Sequence, residues 1–307
     1  MLFRSWIIVG TFFAAAWASL TSPAIFAIIG DNLSSSRRAI GFGVQSILKR
    51  IPIMLAPLLG GWCIVSFGLA NGMKLGFGIT IILAVSAIVI VKRYYVPQPS
   101  AVHEPMHLRD MWRSLDARLK RLLVADCFAR WAEGIPEVFI ILYVMNVLGL
   151  NSFQFGLLIS LQMLTAILVY IPIAKLSDDM NRKPFVLLTF AFFSLFPLAL
   201  VLSNNLTFLI VAFVVAGLRE IGEPARKAMI VDLASETARG RTVGLYYLIR
   251  GMVVFPAALV GGWLWTMNHQ FPFYAAFCIG IIGLFTYATW GSDTTVASQS
   301  TFRKGTL

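Results

Sequence analysis

Long apolar runs alternate with short polar segments along almost the whole chain. Each run has roughly the 20 residues that a helix needs to cross a bilayer, and none shows the two-residue alternation of barrel strands. Because backbone polar groups find no water inside a membrane, such runs are stable there only as helices. The pattern predicts nine transmembrane helices, at residues 5–29, 39–66, 71–91, 119–148, 154–176, 185–203, 206–232, 241–266 and 272–290.

The composition agrees with this pattern. The chain of 307 residues is 58% hydrophobic and 13% charged, whereas a soluble domain would carry roughly twice that charged fraction. An all-α, multi-pass integral membrane protein is therefore predicted. The formal net charge of +11 is compatible with a nucleic-acid partner, but the basic residues recur between apolar runs instead of gathering on one soluble face. We therefore expect no nucleic-acid partner.

The basic residues also orient the helices in the membrane. When the helices alternate in direction, 18 of the 25 Lys and Arg residues fall on the side of the polar hairpin 178–183, and only Arg4 and Lys74 fall on the other. Positively charged loops stay in the cytoplasm, so the hairpin and the tail 292–307 are predicted to be cytoplasmic. A cleaved signal peptide is the alternative interpretation of the first run.

The hairpin lies in the stretch IPIAKLSDDMNRKPF, residues 171–185. Its residues Asp178, Arg182 and Lys183 match the loop signature G-x-x-x-D-R-x-G-R-K of the major facilitator superfamily, which this stretch resembles. Three residues depart from the signature: Ala174, Asp179 and Asn181. The resemblance implies a cytoplasmic loop of the second half of such a transporter, in which Asp178 would hold the inner ends of neighbouring helices together in one state of the transport cycle.

The chain also contains an internal repeat. Shifted by 201 residues, the stretch 23–62 aligns without a gap with 224–263, and 13 of 40 positions are identical. In both copies a helix ends near an aspartate, a short basic turn follows, and the next helix ends Gly-Gly-Trp. The charged residues of these repeat-related turns are Asp31, Arg38, Asp232 and Arg239. Parallel six-helix repeats are the plan of the major facilitator fold.

The resemblance to this family implies twelve helices in two halves, of which the chain resembles helices four to twelve, a truncated version of that helical bundle. The expected domains are a partial N-terminal bundle of three spans (1–92), a cytoplasmic linker with an amphipathic helix (93–118), a C-terminal six-helix bundle (119–291) and a cytoplasmic tail (292–307). Either Met1 is internal to a longer reading frame, or the chain is a nine-helix remnant. An upstream segment that supplies three helices is thus a candidate partner.

Catalytic and metal chemistry is not indicated. The sequence HEPMH at 103–107 reads as H-E-x-x-H, but Pro105 interrupts the regular helix on which such a zinc site depends. Cys63, Cys127 and Cys278 lie inside predicted spans without a pairing pattern. No nucleophile with a base and no phosphate-binding loop is apparent, so we expect neither an enzyme nor a metal or cofactor.

Charges inside membrane spans are costly and therefore mark candidate functional positions. In the fourth span Arg130, Glu133 and Glu137 recur at helical spacing, beside Pro136, which tends to kink a helix. A carboxylate in a low-dielectric environment favours its protonated form, so Glu133 and Glu137 are candidate proton carriers. Glu137 is the better one because it lies further from Arg130. The alternative is that Arg130 and Glu133 only neutralise each other.

The resemblance implies that the charged spans form the walls of a central cavity, and two further groups of charged residues lie in those spans. One crowds the end of the seventh span and consists of Arg219, Glu220, Glu223, Arg226 and Lys227. This group predicts either a gate or a binding site for an anionic group. The alternative is an ion-pair network that fixes the orientation of the helices in the membrane. The other consists of Lys49 and Arg250, which the repeat relates, together with Arg50. It predicts a basic lining, unless these long side chains reach the interface instead.

Together the residues and the resemblance predict a secondary active transporter of a small organic solute in the plasma (inner) membrane, coupled to protons. Gly43, Pro57, Gly60 and Gly61 partly reproduce a pattern that resembles the antiporter mark of the family, which favours efflux by antiport. Three residues depart from that pattern: Thr11, Pro52 and Ala56. The alternative is a membrane scaffold or remnant without transport activity.

Overall fold

The computed structural model describes residues 10, 29, 33–34, 37–94, 112–113, 115–234 and 239–291. Within these ranges the chain is helical and contains no strand, so the predicted all-α class is confirmed. Most of the predicted first span, Asp31, the HEPMH segment and the tail 292–307 lie outside the described residues.

Ten α-helices and one π-helical turn make up this part of the chain. They are α1 (Arg38–Tyr94), α2 (Ala117–Gly134), α3 (Glu137–Leu142), the π-helical turn Tyr143–Val147, α4 (Ser152–Asp179), α5 (Lys183–Val201), α6 (Leu206–Leu218), α7 (Glu223–Asp232), α8 (Arg239–Val254), α9 (Ala257–Met267) and α10 (Phe271–Trp290).

Five helical segments in the described part of the chain are long and apolar enough to cross a membrane by length and composition. They are Arg38–Ile90, Ser152–Ser177, Lys183–Val201, Arg239–Met267 and Phe271–Trp290. Several spans of this kind in one chain require a multi-pass integral membrane protein.

α1 is bent into two arms at Gly68. This residue has φ 76° and ψ 164°, a conformation that glycine adopts far more readily than other residues. A Cβ on Gly72 would lie 2.8 Å from the carbonyl oxygen of Cys63, whereas nine residues of straight helix span about 13 Å. The chain therefore turns back, and residues 38–67 and 69–94 form the second and third predicted spans.

The first arm of α1 packs antiparallel along α4. At one end a Cβ on Gly43 would lie 3.2 Å from the Cβ of Ala174, and at the other a Cβ on Gly61 would lie 3.5 Å from the Cα of Phe153. Small residues at such contacts let two helices approach closely. The end that holds Gly43 and the hairpin 178–183 is called the hairpin end below.

Within the described residues, three of the predicted spans are each divided into consecutive helices. The chain breaks between α2 and α3 at Pro136, where a kink was expected, and between α8 and α9 at Pro256. Proline lacks the N–H that a helix interior needs, and its ring displaces the preceding turn. Between α6 and α7 the break is the turn 219–222, in which the Gly222 N–H donates to Thr189 Oγ1 at 2.6 Å.

Aromatic side chains fill the two largest buried clusters. Interlocking rings of this kind fix how the helices pack, because each contributes a large buried area. The first cluster includes Phe42, Phe190, Phe193, Tyr246 and Tyr287, and the second includes Tyr143, Phe196, Phe213 and Phe273.

Asp116 caps α2 just before the fourth predicted span. Its side chain accepts hydrogen bonds from the Arg118 backbone N–H at 2.7 Å and from the Arg118 guanidinium at 2.9 Å. Partial burial acts to raise the pKa of the Asp116 carboxyl, but the hydrogen bonds from Arg118 outweigh it and the pKa lies below its ordinary value. An aspartate at this position stabilises the helix start.

Two adjacent glycines of α9, Gly261 and Gly262, lie where α9 packs on α2 and α3, and substituting them tests how close that packing is. A Cβ on Gly261 would overlap the Ile135 carbonyl oxygen, whereas the nearest atom to a Cβ on Gly262 is 3.9 Å away in the ring of Phe139. We expect Gly261→Ala to lower the thermal unfolding midpoint in detergent, because overpacking costs about 1–3 kcal/mol. Gly262→Ala is the matched control and should leave the midpoint unchanged or raise it. Equal midpoints for the two variants would contradict this packing.

Candidate functional site: a charged cavity between the helices

A cavity of about 330 Å³ lies between α1, α2, α7 and α8, beside the turn 219–222. Most of the side chains that line it are charged, although the surrounding helices are apolar. The lining residues are Gln45, Ser46, Lys49, Arg50, Ile53, Arg130, Glu133, Arg219, Glu220, Glu223, Lys227, Tyr247 and Arg250.

Asp126 of α2 lies at the centre of the charges beside this cavity. It is fully buried and forms ion pairs with Arg226 at 2.5 Å and Arg250 at 3.2 Å. Arg130 Nε is 3.6 Å away, and the Tyr246 hydroxyl donates to the same carboxylate at 2.9 Å. One carboxylate thus joins α2, α7 and α8.

Glu223 and Glu133 extend this arrangement. Arg226 donates to Glu223 Oε2 from Nε at 3.1 Å and from Nη2 at 2.6 Å, and Arg130 Nη2 donates to the same oxygen at 3.1 Å. Arg130 Nη1 also donates to Glu133 at 2.6 Å, and Arg219 lies 3.6 Å from Glu133. Apart from Glu137, the charged residues that the sequence placed in the fourth and seventh spans therefore form one network.

A second branch of the network connects α1 to α4 and to the turn 219–222. Arg50 forms an ion pair with Glu220 at 2.5 Å and donates to the Tyr170 hydroxyl at 2.8 Å. The Tyr170 hydroxyl in turn donates to Glu220 at 3.1 Å. Lys227 Nζ donates to Ser46 Oγ at 3.0 Å, which ties α7 to α1.

We call these ionisable side chains the cavity network. It consists of Lys49, Arg50, Asp126, Arg130, Glu133, Arg219, Glu220, Glu223, Arg226, Lys227 and Arg250. Among the described residues, no group of three or more His, Cys, Asp or Glu side chains is placed to hold a metal ion.

Two of the residues predicted for the cavity, Glu137 and Lys49, are less engaged than the other predicted cavity residues. Glu137 begins α3, is exposed, and is not part of the cavity lining. The break at Pro136 separates it from Arg130 and Glu133, with which the sequence placed it on one helix. Lys49 lines the cavity and is also exposed. Neither side chain forms an ion pair with a described residue.

A separate charged cluster lies at the hairpin end. Both oxygens of the Asp232 carboxylate are engaged, one by Arg38 at the start of α1 and the other by Arg182 of the hairpin. Arg182 and Asp232 are almost fully buried. Predicted residues of the loop motif and of the repeat-related turns thus meet at one carboxylate. Lys183 and Arg239 begin α5 and α8, whereas the side chain of Asp178 lies outside the description.

Sequence reasoning missed Asp126, Tyr170 and Tyr246. Asp126 lies close to the start of the fourth predicted span, where a charge is ordinarily interfacial. Its spacing of four residues before Arg130 was the available signal, because residues at i and i+4 share a helix face. Tyr170 and Tyr246 carry no comparable signal, since a tyrosine in an apolar run is ordinarily a core residue.

Removing the charge of Asp126 tests its central position. Asp126→Asn leaves the shape unchanged but deprives three arginines of a carboxylate, so the free energy of unfolding should fall by about 3–5 kcal/mol. Asp116→Asn is the control, because its ion pair with Arg118 is exposed and asparagine also caps helices, so its cost should stay below about 1 kcal/mol. Denaturation of both variants in detergent measures the difference. Equal small losses would show that Asp126 is not the centre of the network.

Three comparisons place this geometry among known proteins. A curated relative, an uncharacterised MFS-type transporter of Methanocaldococcus jannaschii, is 23% identical over 268 residues, and the match covers 83% of this chain and 65% of the relative. The chain therefore spans less than two thirds of the length of that relative.

A solved structure shows the same fold. The crystal structure of a bacterial homologue of the iron transporter ferroportin, in an outward-facing state, aligns with a TM-score of 0.64 at 13% identity and covers 93% of this chain and 74% of that one. The Major Facilitator Superfamily profile matches residues 122–306, more than half of the chain. The resemblance noted at the hairpin is therefore confirmed, and the chain belongs to the Major Facilitator Superfamily of membrane transporters.

Proposed function

We propose that this chain is a secondary active transporter that moves a small organic solute across the plasma (inner) membrane by alternating access. The cavity network is the observation that carries the proposal, because ionisable groups inside a bilayer ordinarily face a substrate or ion path. Its residues come from α1, which belongs to the first repeat, and from α2, α7 and α8, which belong to the second. In folds built from repeats the binding site lies between the repeats.

The hairpin-end cluster supports alternating access. Arg38 belongs to the first repeat and Asp232 to the second, so their ion pair joins the two parts of the bundle at the hairpin end. Ion pairs that form in one state and break in the other are a common device of conformational switching. We propose that this cluster holds the hairpin end closed in an outward-facing state, the state named for the structural neighbour.

We further propose that Glu137 carries a coupled proton. Glu133 is engaged in ion pairs with Arg130 and Arg219. Glu137 has no ion pair within the described part of the chain and lies beside the break at Pro136. A carboxylate that can exchange protons during a cycle must not be held charged throughout by arginines.

The direction that we propose is efflux by antiport. Two glycines of the antiporter-like pattern support it, since Gly43 and Gly61 lie at the two ends of the contact between α1 and α4. Glycine at these positions lets the two helices approach each other closely.

Reconstitution of the chain into proteoliposomes tests the transport proposal. A pH-sensitive dye inside the vesicles should report proton flux when a member of a solute panel is added in the presence of an imposed pH gradient. The panel should contain organic anions, neutral sugars and amino acids, and organic cations. If neither proton flux nor exchange of labelled solute is detected with a folded, correctly inserted protein, the transport proposal is wrong and a scaffold function is favoured.

The proton role of Glu137 can be separated from solute binding. Glu137→Gln should reduce proton-driven uptake by about tenfold or more, because the variant cannot release a proton. Exchange of labelled for unlabelled solute without a gradient should persist. Asp116→Asn, outside the spans, serves as the control. Unchanged proton-driven uptake in Glu137→Gln would remove this residue from the coupling mechanism.

Cross-linking the hairpin end tests alternating access. In a background without Cys63, Cys127 and Cys278, the double variant Gly43→Cys with Ala174→Cys should form a disulfide, because the two Cβ positions are 3.2 Å apart, close to the ~3.5–4.5 Å of natural bridges. Oxidation should stop solute flux and reduction should restore it.

The single variant Gly43→Cys controls for oxidation itself and should be insensitive to it. Full flux through a completely cross-linked protein would contradict opening at the hairpin end.

A further inference from the structure

The cavity network carries more positive than negative charge. It contains seven Lys and Arg side chains and only four carboxylates. Counting Glu137 as a fifth carboxylate still leaves an excess of two positive charges. Uncompensated charge inside a membrane is costly, so the cavity favours occupants that bring negative charge.

The four carboxylates of the network are already shared. Asp126 contacts Arg130, Arg226 and Arg250, and Glu220 contacts Arg50 and Arg219. Glu133 and Glu223 are each shared in the same way. Each of the four carboxylates therefore shares its negative charge between two or more cations, and none of the four forms an ion pair with Lys49.

Lys49 and Arg250 are the two cations best placed for a ligand. Lys49 lines the cavity, is exposed, and has no ion-pair partner in the described part of the chain. Arg250 uses Nη1 for Asp126 at 3.2 Å and lies over the ring of Tyr247, with Cζ 4.3 Å from the ring centroid. Stacking on the ring holds the guanidinium in a fixed orientation while other N–H donors stay available.

The repeat places these two cations on different parts of the bundle. Lys49 of α1 and Arg250 of α8 occupy equivalent positions, 201 residues apart, and both line the same cavity. Gln45 and Ser46 of α1 add neutral hydrogen-bonding groups to the lining. A ligand that satisfies both cations therefore needs two negative charges on a small polar body.

We propose that the cavity binds a small organic dianion, with Lys49 and Arg250 as the cations that hold its negative charge. This inference rests on the proposed transport function and names its substrate class. Dicarboxylates and phosphate monoesters share the required chemistry, because both present oxygen acceptors to ammonium and guanidinium donors in charge-assisted hydrogen bonds.

Thermal unfolding of the purified full chain in detergent, at constant ionic strength set with NaCl, tests the proposal without a gradient. The probes are succinate and glycerol 3-phosphate, with succinamide and glycerol as their uncharged counterparts and putrescine as a dication. At least one dianion should raise the midpoint by about 3 °C or more with saturable concentration dependence. The uncharged and cationic probes should not.

Charge removal should weaken this binding at the two named positions. Lys49→Gln and Arg250→Gln should each raise the apparent Kd of the stabilising dianion by about tenfold or more. Lys74→Gln and Arg121→Gln remove cations outside the lining and should leave the Kd unchanged. Arg250→Lys keeps the positive charge near Asp126 and serves where Arg250→Gln does not fold. This variant should bind more weakly than the native protein, because lysine lacks the planar fork of arginine.

Three results would overturn the dianion proposal: no stabilisation by either dianion, equal stabilisation by the uncharged probes, or an unchanged Kd in Lys49→Gln. These outcomes are distinct from failure of the transport proposal. Solute-driven flux with neutral or cationic solutes alone would keep the transporter and reject the dianion. Saturable dianion binding without flux of any solute would keep the binding site and reject transport.

Discussion

The structure depends on one requirement, that charges inside an apolar helical bundle be neutralised by their neighbours. The Asp126 carboxylate neutralises Arg226 and Arg250, and its own burial is tolerated only because those cations surround it. A pair of this kind contributes little net stability compared with apolar packing, but loss of one member leaves an uncompensated charge. The pairing therefore constrains how α2, α7 and α8 can be placed relative to one another.

Two of the helix breaks lie beside charged residues of the cavity network. Arg219 and Glu220 lie in the turn between α6 and α7, and Glu133 lies one residue before the end of α2. Non-helical backbone at membrane depth is tolerated where it lines a cavity or is buried in protein. Proline at 136 and 256 and glycine at 222 supply the interruptions. Pro136 and Gly222 therefore lie close to charged residues that line the cavity.

The sequence was sufficient for the class of fold, because apolar length and the absence of charge are local properties. It also identified most of the cavity network, since Arg130, Glu133 and the charges from Arg219 to Lys227 stand out in apolar surroundings. The sequence could not show which of these charged side chains form ion pairs with one another. The contact of Arg50 with Glu220 joins residues 170 positions apart, and no local pattern encodes such a partner.

Asp126 shows more clearly what could not be predicted from the sequence. A charge near a predicted helix end is interfacial or central depending on where the membrane boundary falls, and hydropathy places that boundary only within several residues. Glu137 shows a different case, because the sequence placed it on one helix face with Arg130 and Glu133, whereas it begins α3 beyond the break at Pro136 and is not part of the cavity lining. Tertiary packing decided the position of Asp126, whereas the break beside Glu137 follows from the local proline.

A double-mutant cycle between Asp126 and Arg226 tests the central claim most directly. The unfolding free energies of Asp126→Asn, Arg226→Gln and the double variant, measured in one detergent, give the coupling energy between the two side chains. Since contacting residues of a shared network couple by ~0.5–3 kcal/mol, the account predicts a coupling in the upper part of that range. A coupling indistinguishable from zero would contradict it.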